Sequence, residues 1–209
     1  MTVLKVGIIG CGGIARGKHL PTLAQVKEVE MVAFCDIVVE RAEEAQEQYG
    51  TADSQVFSDY KEMLAAMDLD VVHVCPPNVS HAEISIAALE AGNHVMCEKP
   101  MAKTTAEARE MIEVAKRTGK KLTIGYQNRF ATESRYLQEV CAAGELGEIY
   151  SAKAHAIRRR AVPTWGVFLD EEAQGGGPLI DIGTHALDLT LWMMDNYKPK
   201  YVVGKTYHE

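Results

Sequence analysis

An apolar strand that breaks at once on glycine leaves a chain few ways to fold, and residues 3 to 15 are such a passage. Val-Leu-Lys-Val-Gly-Ile-Ile runs directly into Gly10-Cys11-Gly12-Gly13-Ile14-Ala15. In a Gly-x-Gly-x-x-Ala turn between strand and helix, the first glycine permits the tight turn. The second lets the backbone approach a pyrophosphate, and the small last residue allows the helix to pack closely on the strand. The helix start offers N–H groups and a positive dipole end to the phosphates. Gly10, Gly12, Gly13 and Ile14 are therefore expected to line a dinucleotide. Asp36, at the end of the next strand and about 20 residues on, stands where a carboxylate accepts hydrogen bonds from the adenosine ribose. It would repel a 2′-phosphate, so NAD is expected over NADP, with Arg41 nearby tempering the preference.

The chain continues as strands alternating with helical segments. Strands are expected at 29 to 35, 70 to 75, 94 to 97 and 122 to 126. Helices are expected at 13 to 27, 38 to 49, 59 to 66, 80 to 91 and 105 to 118. Such alternation implies right-handed crossovers and a parallel sheet, and the Val/Ile/Leu runs suit strands covered on both faces. After Tyr126 the pattern changes to a helix over 133 to 143, a strand from Glu148 to about Ile157, an irregular basic stretch, a helix over 179 to 194 and a strand at Tyr201 to Val203. The fold class expected is α/β: a Rossmann dinucleotide-binding domain over 1–126, then a second, α+β domain over 127–209.

The 209 residues carry a net charge of -7, which argues against a general affinity for nucleic acid or anionic membrane. No apolar run is long enough to span a bilayer, and the first residues lack a secretory pattern, so the cytoplasm is the expected compartment. Cys11, Cys35, Cys75, Cys97 and Cys141 show no Cys/His metal spacing; buried free thiols and no metal site are expected.

Three further stretches carry chemistry. Cys75-Pro76-Pro77-Asn78 ends a strand on the side where ligands bind in such sheets, and Asn78 and His81 can face the nicotinamide half; a strand stop followed by a helix cap explains the same residues equally well. Glu98-Lys99-Pro100 also follows a strand, which turns Lys99 toward the same crevice, although a solvated lysine is the ordinary reading of the tripeptide alone. Asp181 and His185 are four apart near a helix start and share a face. Asp188 lies on that face too and could orient His185.

Taken in order, Gly10–Ala15, Cys75-Pro76-Pro77-Asn78-Val79-Ser80-His81, Glu98-Lys99-Pro100 and Gly175-Gly176-Gly177-Pro178-Leu179-Ile180-Asp181-Ile182-Gly183-Thr184-His185 resemble the Gfo/Idh/MocA oxidoreductases, which include inositol dehydrogenase and glucose–fructose oxidoreductase. The resemblance runs to at least Trp192. It implies a catalytic group of Lys99, Asp181 and His185, a cis Lys99-Pro100 bond, and NAD-dependent oxidation of a secondary hydroxyl of a sugar, inositol or other polyol. His185 would be the general base, with Lys99 assisting at the hydroxyl and Asp181 orienting the base or binding the sugar. Cofactor contacts would also come from Cys75, Pro76, Asn78, His81, Glu98, Lys99 and Gln127. Arg129, His155, Arg158 and Trp165 are substrate-side candidates beside Lys99, Asp181 and His185. Two alternatives remain open: a non-catalytic NAD-binding regulator, and an NAD-dependent glycosidase of the same superfamily. The family's second domain has a larger open sheet whose outer face commonly forms a subunit interface, so the resemblance implies that 127–209 is a partial α+β domain with an open sheet, for substrate binding and oligomerisation, and that the chain forms a homo-oligomer. The chain, short by that standard, is expected to be a truncated form, a natural fragment or an incomplete record of a longer chain.

Overall fold

The computed structural model describes residues 3–160 and 162–207. They form two compact units: the chain up to Gly125 together with Val162–Ile180, and the remainder.

The first unit is built on six parallel strands, β1 (Leu4–Ile9), β2 (Val29–Cys35), β3 (Gln55–Phe57), β4 (Val71–Val74), β5 (His94–Cys97) and β6 (Leu122–Ile124), in the spatial order β3-β2-β1-β4-β5-β6. The crossovers carry α1 (Leu20–Leu23, entered through a π-turn at Ala15–His19), α2 (Val39–Tyr49), α3 (Tyr60–Ala66), α4 (His81–Glu90) and α5 (Thr105–Thr118). The chain winds from β1 toward β3 and then from β4 toward β6, so the direction reverses between β1 and β4. Ligands in open α/β sheets bind beyond the strands' carboxyl ends at that reversal.

Local chemistry sets the element ends. Thr104 and Glu107 cap each other reciprocally at the start of α5, and Gly119, at φ 67°, stops it; the sequence places this helix at the same residues. Asp59 accepts from the Lys61 N–H and starts α3. The first helix stops at Leu23, short of the expected residue 27. Tight turns at Gln25, Val26 and Val29 fold the chain back so that the Leu4 N–H reaches the Glu28 carbonyl, which aligns β2 beside β1.

Both sheet faces are covered. Val6, Ile8, Phe34, Leu20 and Ala42 pack on one side, and Ile9, Val72, Val74, Leu89 and Met111 on the other. Ile8 and Phe34 are 0% exposed; each contributes about 1.5–3 kcal/mol relative to an exposed side chain. The strand β3 and a one-turn helix at Glu171–Gln174 were not expected from the sequence. Each is only three or four residues long, too short for a periodic signal.

In the second unit, a 3-10 turn (Gln127–Phe130) leads into α6 (Thr132–Ala142), and α7 (Thr184–Met194) packs against α6. The strands expected at Glu148 to Ile157 and Tyr201 to Val203 do not form, and the open sheet expected there is absent among the described residues. Tyr150, Ile157, Tyr201, Val202 and Val203 are all exposed. A β-prone run becomes a strand only when a neighbouring strand takes its N–H and C=O groups, and neither segment has one. No described helix is long and apolar enough to cross a membrane.

Candidate active site

The carboxyl ends of β1, β4 and β5 stand side by side. The ladder continues one residue past each end: the Cys75 N–H donates to the Ile9 carbonyl (2.8 Å) and the Glu98 N–H to the Val74 carbonyl (2.9 Å). Gly10, Cys75-Pro76 and Glu98-Lys99 are thereby delivered to one edge of the first unit.

Gly10 adopts φ +87°, and a Cβ there would lie 2.5 Å from the Pro76 nitrogen and 2.7 Å from the Cys75 carbonyl carbon. Only glycine fits this turn. At Gly12 and Gly13 a Cβ would meet nothing within 4 Å. Their bare backbone therefore faces open space at a helix start, the room that a pyrophosphate requires. Ile14, 37% exposed, sits beside them. The Asp36 carboxylate is buried and braces the turn: one oxygen accepts from the Cys11 N–H (2.8 Å) and the other from the Val38 N–H (2.9 Å). A carboxylate has about four acceptor positions, so two remain for ribose hydroxyls. The Arg41 guanidinium lies 4.0 Å from Asp36. This edge fits a dinucleotide in shape and in donor chemistry.

The cysteines form no disulfide. Burial pushes the Cys11, Cys35 and Cys97 thiols up to about 12, so they act as small apolar side chains rather than nucleophiles. No cluster of three or more His, Cys, Asp or Glu among the described residues could hold a metal ion.

Around Lys99 the strand ends are tied together. His81 is buried, with Nδ1 2.7 Å from the Pro100 carbonyl and Nε2 2.9 Å from the Pro76 carbonyl. It links the two proline loops, and burial pulls its pKa below the ordinary value. The Lys99-Pro100 bond is cis. The Asn78 amide donates to the Gln174 carbonyl (3.0 Å) and side-chain oxygen (2.7 Å), which fastens the Glu171–Gln174 turn to this edge. Lys99 itself is half-buried. Beneath it lies a cluster that the sequence reading missed. His19 Nε2 is 2.8 Å from Glu98 Oε1, His19 Nδ1 is 2.9 Å from His73 Nδ1, and the Lys99 N–H donates to Glu98 Oε2 (3.1 Å). In sequence, His19 and His73 are single histidines on an ordinary helix and strand; only their convergence marks them.

Burial, reinforced by His19, lowers the His73 pKa from 6.5 to about 4. Above pH 6.5 the ring is neutral in the folded and unfolded chain alike. Between 6.5 and about 4 the unfolded chain binds a proton that the folded chain refuses, so stability falls as pH falls through that window. The loss is on the order of 3 kcal/mol. Urea unfolding from pH 7 to 4.5 should therefore show a smaller decline in His73→Asn than in the parent, with His81 titrating in both. Parallel curves would remove His73 as the origin.

The second unit holds the other candidates around the start of α7. The Tyr126 hydroxyl pairs with the Thr184 hydroxyl (2.8 Å), and its ring meets the His185 ring edge-on at 6.0 Å between centroids. Arg158 lies 3.7 Å from the Asp181 carboxylate. Arg129 makes a bidentate pair with Asp188 (2.7 and 2.5 Å) and lies over the Trp192 ring at 5.2 Å. This pair raises the Arg129 pKa and ties the Gln127–Phe130 turn to α7. His155, on an exposed segment, lines an apolar depression with Leu137, Ala186 and Met193. Trp165 belongs to the first unit, edge-on to Phe168 and 61% exposed.

Residues 4–126 match the family model described as an oxidoreductase family with an NAD-binding Rossmann fold, and residues 134–209 match the GFO/IDH/MocA C-terminal domain. Among curated proteins, the chain is 47% identical to the D-glucoside 3-dehydrogenase of Escherichia coli (strain K12) over 191 residues, covering 91% of this chain and 54% of that protein. It is 32% identical to the inositol 2-dehydrogenase of Salmonella paratyphi B over 198 residues, covering 93% and 56%. Among solved structures, scyllo-inositol dehydrogenase from Lactobacillus casei, with bound NAD(H) and scyllo-inositol, aligns with a TM-score of 0.83 at 25% identity, covering 93% of this chain and 57% of that one. The chain spans about half the length of the curated relatives it matches.

Proposed function

The chain belongs to the GFO/IDH/MocA oxidoreductase family, and from that premise we propose that it works as an NAD-dependent dehydrogenase acting on a secondary hydroxyl of a glucoside, inositol or related polyol. The observation that carries this reading is that the open Gly12-Gly13 backbone, the braced Asp36 carboxylate and Lys99 all follow carboxyl ends of strands of one parallel sheet, with β4 between the glycine turn and the strand end bearing Lys99. The substrate class follows the relatives' activities, with a glucoside favoured by the 47% identity to a D-glucoside 3-dehydrogenase.

Gly10, Gly12, Gly13 and Ile14 would hold the pyrophosphate, and Asp36 the adenosine ribose. Cys75, Pro76, Asn78, Glu98, Lys99 and Gln127 would form the nicotinamide end; His81, expected there from the sequence, is buried with its ring nitrogens at the Pro100 and Pro76 carbonyls and would brace that end from within. Bound NAD supplies the hydride acceptor. His185 takes the hydroxyl proton as general base, Lys99 hydrogen-bonds the same oxygen, and Asp181 orients the base or the sugar. The protein's own contribution is alignment of the two reactants and movement of one proton. Arg158, held near Asp181, adds a substrate-side cation.

The test is a panel of glucosides, inositols and other polyols with NAD or NADP, read by absorbance of the reduced cofactor. Accumulating NADH supports a dehydrogenase; cofactor binding without turnover supports a regulator, and sugar release without NADH a glycosidase. In the same assay Asp36→Ala should weaken NAD by about 10- to 100-fold, the worth of one or two hydrogen bonds to a charged acceptor, and narrow the preference over NADP. An unchanged NAD affinity would end the case for Asp36.

A further inference from the structure

Four elements of the first unit are built around one buried carboxylate. Glu98, 8% exposed, ends β5. His19, equally buried, reaches it from the first helix at 2.8 Å, and His73 of β4 stands behind His19 at 2.9 Å. Gly125, just past β6, leaves the necessary room, because a Cβ there would come within 3.1–3.3 Å of the Glu98 carboxyl group. The second Glu98 oxygen accepts the Lys99 N–H.

The hydrogen bonds fix a direction. Glu98 is held below its ordinary pKa, against the opposing effect of burial, by its bond to His19 and the Lys99 amide; it is an acceptor only. His19 Nε2 must then carry the proton toward Glu98. With both histidines neutral, His73 Nδ1–H donates to His19 Nδ1, so the chain runs His73 to His19 to Glu98 and every central atom is satisfied.

We propose that His19 is a positioning residue for Lys99. Fixed from behind by His73, it anchors the Glu98 carboxylate, which in turn holds the Glu98–Lys99 peptide and sets where the lysine side chain leaves the strand. A buried polar pair is weak evidence for stability, because replacing both partners by apolar groups of the same shape is often nearly neutral or better. A carboxylate placed next to the lysine and braced by two histidines serves geometry more directly than it serves the core. The inference rests on the reading of Lys99 as the residue that meets the alcohol.

The test compares the 209-residue chain with His19→Ala, His19→Gln and Glu98→Gln. His19→Ala should lower kcat by about 10- to 100-fold, the scale of an ångström's misplacement, with KM and NAD affinity changing by less than about threefold. Deuterium exchange at the Lys99 amide should quicken by about tenfold or more while the β1 amides stay protected. His19→Gln, whose side-chain N–H can replace Nε2–H, should recover most of the loss; Glu98→Gln should quicken Lys99 exchange as His19→Ala does. The proposal falls if His19→Ala keeps kcat within twofold and leaves Lys99 exchange unchanged. It falls equally if kcat, NAD binding and β1 protection decline together, which marks a purely structural residue. Should the parent oxidise no polyol, the dehydrogenase reading fails, and the exchange measurement still decides whether His19 positions Lys99.

Discussion

Alanine at His185 or at Lys99 is expected to lower kcat for polyol oxidation by about 10²–10⁴-fold, the usual contribution of a positioned proton-transfer group. Removal of a hydride from a secondary alcohol requires the hydroxyl proton to leave, and a neutral imidazole is the side chain suited to take it near pH 7. His185 sits one residue beyond the Tyr126–Thr184 hydrogen bond, with the Tyr126 ring edge-on to its own. Lys99 follows β5 directly and is anchored through its own amide. On the proposed reading NAD affinity would reside chiefly in the glycine turn and Asp36, so both variants should bind NAD within about threefold of the parent. Steady-state NADH production and a fluorescence titration with NAD separate the two quantities. Parental kcat in both variants would overturn the catalytic assignment. A fall in NAD affinity matching the fall in kcat for Lys99→Ala would make Lys99 a cofactor contact instead.

The largest effect on stability is expected at Gly10. A non-glycine residue at φ +87° costs about 1–3 kcal/mol in backbone strain. Here the new methyl would also strike the backbone of Cys75 and Pro76, at distances no side-chain rotation can relieve. Overpacking of this kind adds about 1–3 kcal/mol. Gly10→Ala should therefore destabilise by about 4 kcal/mol and lower Tm by about 10 °C for a chain of this size. Gly12→Ala provides the contrast. Its methyl meets no protein atom, so stability should change by less than about 1 kcal/mol, while NAD binding weakens because the methyl takes the pyrophosphate's room. Equal melting temperatures for Gly10→Ala and the parent would show that the turn relaxes. Parental NAD affinity in Gly12→Ala would show that the cofactor does not use that space.

Much of the first unit was legible because its signals are local. The unbroken apolar strands, Thr104 and Gly119 around α5, and Gly92 after α4 each act within a few residues of the feature they specify. The glycine turn was legible for the same reason, since its glycines stand within a few residues of one another, although the Cys75-Pro76 backbone that presses on Gly10 was not. The second unit was less so. Glu148 to Ile157 and Tyr201 to Val203 have β-prone composition, yet strand formation depends on a partner that composition does not reveal. The helical spacing put Asp188 on the His185 face, but it could not show that Arg129, from a different element, takes both Asp188 oxygens.

The sequence by itself determined the class of this protein: the parallel α/β unit, the dinucleotide turn with Asp36 across from it, and the ordered motifs that mark its family. These rest on backbone sterics, short-range periodicity and residue identity, all written along the chain. Only the tertiary structure decided how the strand ends are tied to one another. His81 between two prolines, Asn78 on Gln174, and the His73–His19–Glu98 chain under Lys99 join residues between 5 and 96 positions apart. A buried polar group must find its partner wherever the fold brings one within about 3 Å, and that proximity is a property of the packed chain, not of any segment of it.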